Sequence, residues 1–82
     1  MKERLASFIV SEILRDRSRE LSFDEPLLTS GLIDSFSLLD LALYVEGAFG
    51  VRIEDFELRP EVFNNVNELA DLIAGRQGQG VR

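Results

Sequence analysis

The chain contains no cysteine, no histidine and no tryptophan, and only two prolines and one methionine. Without cysteine it can form no disulfide staple, thiolate metal site or thiol nucleophile. Without histidine it also lacks imidazole ligands, a serine–histidine pair and the usual near-neutral general base. Catalysis by the chain alone is therefore not expected. Long apolar runs are missing as well. The start, Met1-Lys2-Glu3-Arg4, is charged, and nothing after it reads as a signal peptide or a membrane span, so a cytoplasmic location is expected. No internal repeat is present.

What the chain does have is 82 residues, 45% of them hydrophobic, enough for one small domain whose apolar side chains share a single core. Its net charge of −6 is unevenly distributed: residues 1–20 carry +1, residues 21–75 carry −9 and residues 76–82 carry +2. An acidic centre repels phosphate backbones and anionic lipid and steers basic protein surfaces toward it. The expected partners are proteins with basic patches, not nucleic acid.

Periodicity predicts an all-α fold. From Lys2 to about Arg17, Leu5, Ile9 and Ile13 recur every four residues, with Ala6, Phe8 and Val10 beside them and charges opposite. Residues 18–34 include Pro26, Thr29, Ser30 and Gly31, which interrupt helix. They also include Phe23, Leu27, Leu28, Leu32 and Ile33, which predict a long ordered loop pinned to the core. A second helix opens at Asp34-Ser35, whose side chains suit the first-turn amides, and ends at Phe49 before Gly50. Val51-Arg52-Ile53 reads as extended loop. Arg59–Phe63 allows a short helical turn, with Pro60 near its beginning. Asn65 followed by Glu68 looks like a capping box opening a last helix from about Val66 to Ala74. The expected architecture is a small bundle of three main helices and one short one.

The second helix is too apolar for a single buried stripe. Leu38, Leu41, Ala42, Val45, Ala48 and Phe49 form an arc suited to the core, whereas Phe36, Leu39 and Leu43 form a separate stripe edged by Asp40 and Glu46. An apolar stripe rimmed by carboxylates suits docking against an apolar groove with basic edges. The other reading is that the Arg59–Phe63 segment or the long loop covers it. Ser35, at the amino end of this helix, reads on its own as a cap. It has no Gly-x-Ser-x-Gly elbow and no base within the chain, so any chemistry at its hydroxyl needs a base from another protein. The acidic residues Glu54, Asp55, Glu57 and Glu61 match no defined cation-binding loop.

The run Leu28-Thr29-Ser30-Gly31-Leu32-Ile33-Asp34-Ser35-Phe36-Ser37-Leu38-Leu39-Asp40-Leu41 resembles the phosphopantetheine-attachment segment of acyl carrier proteins. There Gly-Leu-hydrophobic precedes Asp-Ser-(Leu, Met or Phe) and a helix follows. The order of first helix, long loop, Phe49-Gly50-Val51 exit and capped last helix is also similar, extending the resemblance over about residues 3–74. It implies that Ser35 carries 4′-phosphopantetheine, attached from coenzyme A by a separate phosphopantetheinyl transferase, and that Asp34 helps present Ser35 to that enzyme. It further implies that partner enzymes read the face of Phe36, Leu39, Asp40, Leu43 and Glu46. These would include an acyl- or aminoacyl-loading ligase or transferase and downstream acyl-using enzymes.

On this reading residues 1–75 are a monomeric carrier domain, not itself an enzyme, and residues 76–82 are a flexible tail. Only Asp40 and Glu46 are acidic after Ser35 on the second helix, with Gly47 and Ala48 where members serving fatty-acid synthesis usually have acids. That departure, with Asp-Ser-Phe and Pro60–Asn65, leans toward a specialised, aminoacyl or D-alanyl-type carrier. The alternative is an unmodified helical interaction or regulatory domain with a carrier-like fold.

Overall fold

The computed structural model describes residues 1–79, with side chains to residue 77. The structure is all-α among these residues. Helix α1 spans Lys2–Phe8 and continues into a wider π-helical turn at Ile9–Ile13; α2 spans Ser35–Phe49, and α3 spans Val66–Gln79. A three-residue 3₁₀ turn, Asp55–Glu57, lies between α2 and α3. No helix among the described residues is long and apolar enough to cross a membrane.

Leu5 and Ile9, one turn apart on the first helix, are fully buried, as their spacing predicts. The first helix nevertheless stops short of Arg17. At the widened turn the Ser11 Oγ donates to the Ser7 carbonyl (2.7 Å), a back-bonding contact that competes with the regular ladder. The Leu14 amide then reaches five residues back to Ile9 O (2.8 Å), and the Asp16 amide reaches Val10 O (3.0 Å). Arg15 takes a left-handed conformation at φ 55°, and the chain leaves the helix there. The extra residue in the turn lets both Ile13 and Leu14 pack against the core.

Leu27 and Ile33 anchor the loop in the core, with Phe23, Leu28 and Leu32 packed against it. Backbone bonds run from Leu27 N to Asn64 O (2.7 Å), from Asn67 N to Phe23 O (3.0 Å) and from Ile33 N to Leu27 O (3.1 Å). An Arg19–Glu25 ion pair closes its first part. The core is completed by Leu38, Leu41 and Val45 of α2, Val51 and Ile53 in extended chain, Phe63, and Val66, Leu69, Ala70 and Ile73 of α3.

Two expected boundaries shift in the last third. Arg59–Phe63 forms hydrogen-bonded turns, with Val62 N and Phe63 N both donating to Arg59 O, and no helix. The short helical segment lies upstream at Asp55–Glu57, where Glu57 Oε1 accepts from the Glu54 amide (2.9 Å). Helix α3 continues to Gln79, so Gly75 to Gln79, expected as loose chain, are helical. The remainder of the expected tail, 80–82, lies outside the described residues. Asn65 Oδ1 accepts from the Glu68 amide (2.7 Å) as anticipated. Glu68, however, reaches back to the Asn64 amide (2.7 Å), one residue beyond the usual capping-box partner.

Candidate functional site

The loop delivers Asp34 and Ser35 through a short set of contacts. Asn64 staples the segment ahead of them: its Oδ1 accepts from the amides of Leu28 (2.9 Å) and Thr29 (3.1 Å), and its Nδ2 donates to Thr29 Oγ1 (2.9 Å). Gly31 makes the turn that follows at φ 78°, a conformation that glycine adopts without a Cβ penalty. Ile33 then enters the core. Asp34 is extended, at φ −86° and ψ 175°, and its Oδ1 accepts from the Ser37 amide (2.8 Å), capping α2. Hydrogen bonds from the Ser37 amide and hydroxyl hold the Asp34 carboxyl below its ordinary range, so it is ionised at neutral pH.

Ser35 is the first residue of α2 and is exposed. Its hydroxyl makes no hydrogen bond among the described residues, whereas those of Ser11, Ser18 and Ser30 are engaged by Ser7 O, Asp16 Oδ1 and Pro26 O. The amide end of the helix and the positive end of its dipole lie beside the Ser35 hydroxyl. Asp34, the preceding residue, caps the helix through its Oδ1. Among the described residues no side chain hydrogen-bonds the Ser35 hydroxyl, and its exposure leaves space for an attached group.

The second stripe of α2 is uncovered. Phe36 is 81%, Leu43 68% and Leu39 46% exposed, and Asp40 and Glu46 are exposed beside them. Neither the long loop nor Arg59–Phe63 lies over it. The five side chains do not form one flat patch. Leu39, Leu43 and Glu46 wall an open groove of about 600 Å³ whose other side is Ile53, Asp55 and Phe56. Asp40 and Leu43 border a second groove toward Phe8, Arg15 and Tyr44, where the Phe8 and Tyr44 rings stack at 4.1 Å. Phe36 stands apart, next to Ser35. Phe56, 69% exposed, was not anticipated; its signal was a lone aromatic between acids, Asp55-Phe56-Glu57, just after a buried alternation.

The acidic residues near this groove do not converge. Glu54 pairs with Arg52 (3.1 Å) and Glu57 with Arg76, and no cluster of three or more candidate metal ligands occurs among the described residues.

Residues 7–73, from within α1 to within α3, match the family model described as a phosphopantetheine attachment site. The chain belongs to this family. No curated protein and no solved structure matches it significantly. The family match makes the chain a carrier domain for covalent 4′-phosphopantetheine, in agreement with the resemblance carried by residues 28–41. Domains of this family are generally carriers and not catalysts. The described residues fit such a group: an unengaged hydroxyl at an exposed helix start leaves room for a phosphodiester and an outward-running arm.

Proposed function

We propose that Ser35 is the attachment residue, and that the domain carries acyl or aminoacyl groups between partner enzymes. The observation that carries this reading is the free, exposed Ser35 hydroxyl at the start of α2, within the matched residues. When attached, 4′-phosphopantetheine supplies a terminal thiol on which cargo travels as a thioester, which is why a chain without cysteine can serve. Attachment forms a bond from the Ser35 Oγ to the phosphopantetheinyl phosphorus of coenzyme A, breaks the P–O bond of its pyrophosphate and releases adenosine 3′,5′-bisphosphate. The Oγ proton leaves to a base of the transferase, because the chain has no histidine.

In this reading Asp34 fixes the first turn and thus the direction in which Ser35 faces the transferase. Phe36, Leu39 and Leu43 give partners an apolar footing, and Asp40 and Glu46 steer basic surfaces to it. The sparse acids after Ser35, with Gly47 and Ala48 on the same helix, favour a dedicated partner set serving a specialised or aminoacyl pathway.

The test is incubation with a phosphopantetheinyl transferase, coenzyme A and magnesium, read by intact mass. The expected result is a gain of one phosphopantetheine unit, abolished by Ser35→Ala. A chain that gains nothing with several transferases is instead an unmodified interaction domain. A gain that persists in Ser35→Ala places the attachment elsewhere. Asp40→Lys with Glu46→Lys should slow modification most at low ionic strength.

A further inference from the structure

Glu57 is the one charged residue counted as buried among the described residues, at 9% exposure. Its carboxylate is fully engaged. Oε1 accepts from the Glu54 amide and from Arg76 Nη1, both at 2.9 Å, and Oε2 accepts from Arg76 Nη2. Arg76 Nη1 also donates to the Arg52 carbonyl (2.9 Å), and the neighbouring Gln77 Nε2 donates to the Phe49 carbonyl (3.2 Å). The late turns of α3 thus grip the whole connection from the end of α2 to the Asp55–Glu57 turn.

That turn is short, and three residues of 3₁₀ helix hold poorly by themselves. It nevertheless displays Phe56 on the groove wall opposite Leu39 and Leu43. Phe56 is too exposed to be held by its own packing, so its place follows from the turn, which is held by the buried Ile53 ahead of it, by the reciprocal Glu54–Glu57 cap and by Arg76 on Glu57. The two-pronged geometry of the guanidinium is what a lysine lacks.

We propose that Arg76 is a positioning residue for partner recognition: through Glu57 it fixes Phe56 across the groove from Leu39 and Leu43, so that the groove selects partners by fit to that aromatic wall. This rests on the reading of the α2 face as the partner surface. Arg52 and Glu54 both line the groove and pair with each other (3.1 Å), which leaves Glu46 and Asp55 as the carboxylates facing a partner, so the fitting partner presents an apolar side chain with basic neighbours.

The test uses the full chain with Arg76→Lys, Phe56→Ala and the double variant. The first measurement is amide hydrogen exchange, which requires no partner. Arg76→Lys should speed exchange at Glu57 and Leu58, whose amides close the turn, by at least about tenfold, while α2 amides stay unchanged. Unchanged exchange at these two amides overturns the proposal. The second measurement takes a phosphopantetheinyl transferase with coenzyme A as the protein probe and varies carrier concentration. Each single variant should raise KM for the carrier about three- to tenfold with kcat within about twofold, and the double variant should be no worse than Phe56→Ala. Additive effects, or an unchanged KM, overturn it. If the wild-type chain accepts no phosphopantetheine, the reading of Ser35 fails, and the exchange measurement alone decides whether Arg76 holds the turn.

Discussion

Replacing Asn64 by alanine tests how the loop ahead of Ser35 is held. Asn64 is far from Ser35 in sequence, yet its side chain makes three hydrogen bonds to Leu28 and Thr29. The Leu28 amide is partly buried, so removing its acceptor leaves a donor that water reaches poorly, at a cost of about 1–3 kcal/mol. The Thr29 amide and hydroxyl are exposed, and water replaces their partner at roughly 0.5 kcal/mol or less each. Asn64→Ala should therefore destabilise the domain by about 2 kcal/mol, a fall in Tm of roughly 8–16 °C for a chain of this size. Asn64→Asp keeps an oxygen facing both amides and loses only the donor to Thr29 Oγ1, so its cost should stay below about 1 kcal/mol. Urea unfolding followed by circular dichroism measures both, and amide exchange at Leu28 and Thr29 should accelerate selectively in the alanine variant. A difference between Asn64→Ala and wild type below about 0.5 kcal/mol, or an aspartate variant as weak as the alanine one, refutes the assignment of Asn64 as the staple.

Three other outcomes are expected. Leu43→Glu and Phe36→Ala should change unfolding free energy by less than about 0.5 kcal/mol, given their exposure, while raising KM for a phosphopantetheinyl transferase; loss of helicity in both would return them to the core. Gly47 lies inside α2 with open space where a Cβ would stand, so Gly47→Ala should stabilise by about 0.5–1 kcal/mol in the same urea assay. Hydrogen bonds from Arg76 and the Glu54 amide, and the Arg76 charge, lower the Glu57 pKa from its ordinary 4.5. Its contribution to stability is thus full above that value and fades as pH falls through the lower native-state value. Glu57→Gln should lose stability at neutral pH and show a flatter decline on acidification, and an acid limb as steep as that of wild type would contradict this origin.

The parts of the fold read correctly from sequence are those written in local chemistry. Asp34 and Gly50 mark the ends of α2 because a cap and a left-handed exit each need a particular residue type at one position. The exposed stripe was legible because α2 carries more apolar residues than one buried face accommodates. The errors come from contacts distant in sequence or from main-chain competition. Leu5, Ile9 and Ile13 suit a regular helix to Arg17 equally well, and nothing in that spacing reveals that Ser11 diverts the ladder. Gly75 and its polar neighbours look like a tail, yet Arg76 and Gln77 find partners in Glu57 and Phe49, 19 and 28 residues earlier. Pro60 drew the short helix downstream, while Glu54 and Glu57, three residues apart, already marked the turn that forms. Phe56 shows in the sequence only as a lone aromatic between acids, and its place across the groove from Leu39 and Leu43 follows from the fold.

Helix α2 runs without a break from Ser35 to Phe49, so its tip and its flank move as one rod. Ser35 and Leu43 are separated by about 12 Å of axial rise, and a partner that grips the flank thereby fixes both a bearing and a range for whatever hangs from the tip. One residue inserted between Ser37 and Leu39 would turn Ser35 by about 100° against Leu43 and against the buried Leu41 and Val45, so that the tip and the core could keep their bearings only if the loop ahead of Ser35 yields.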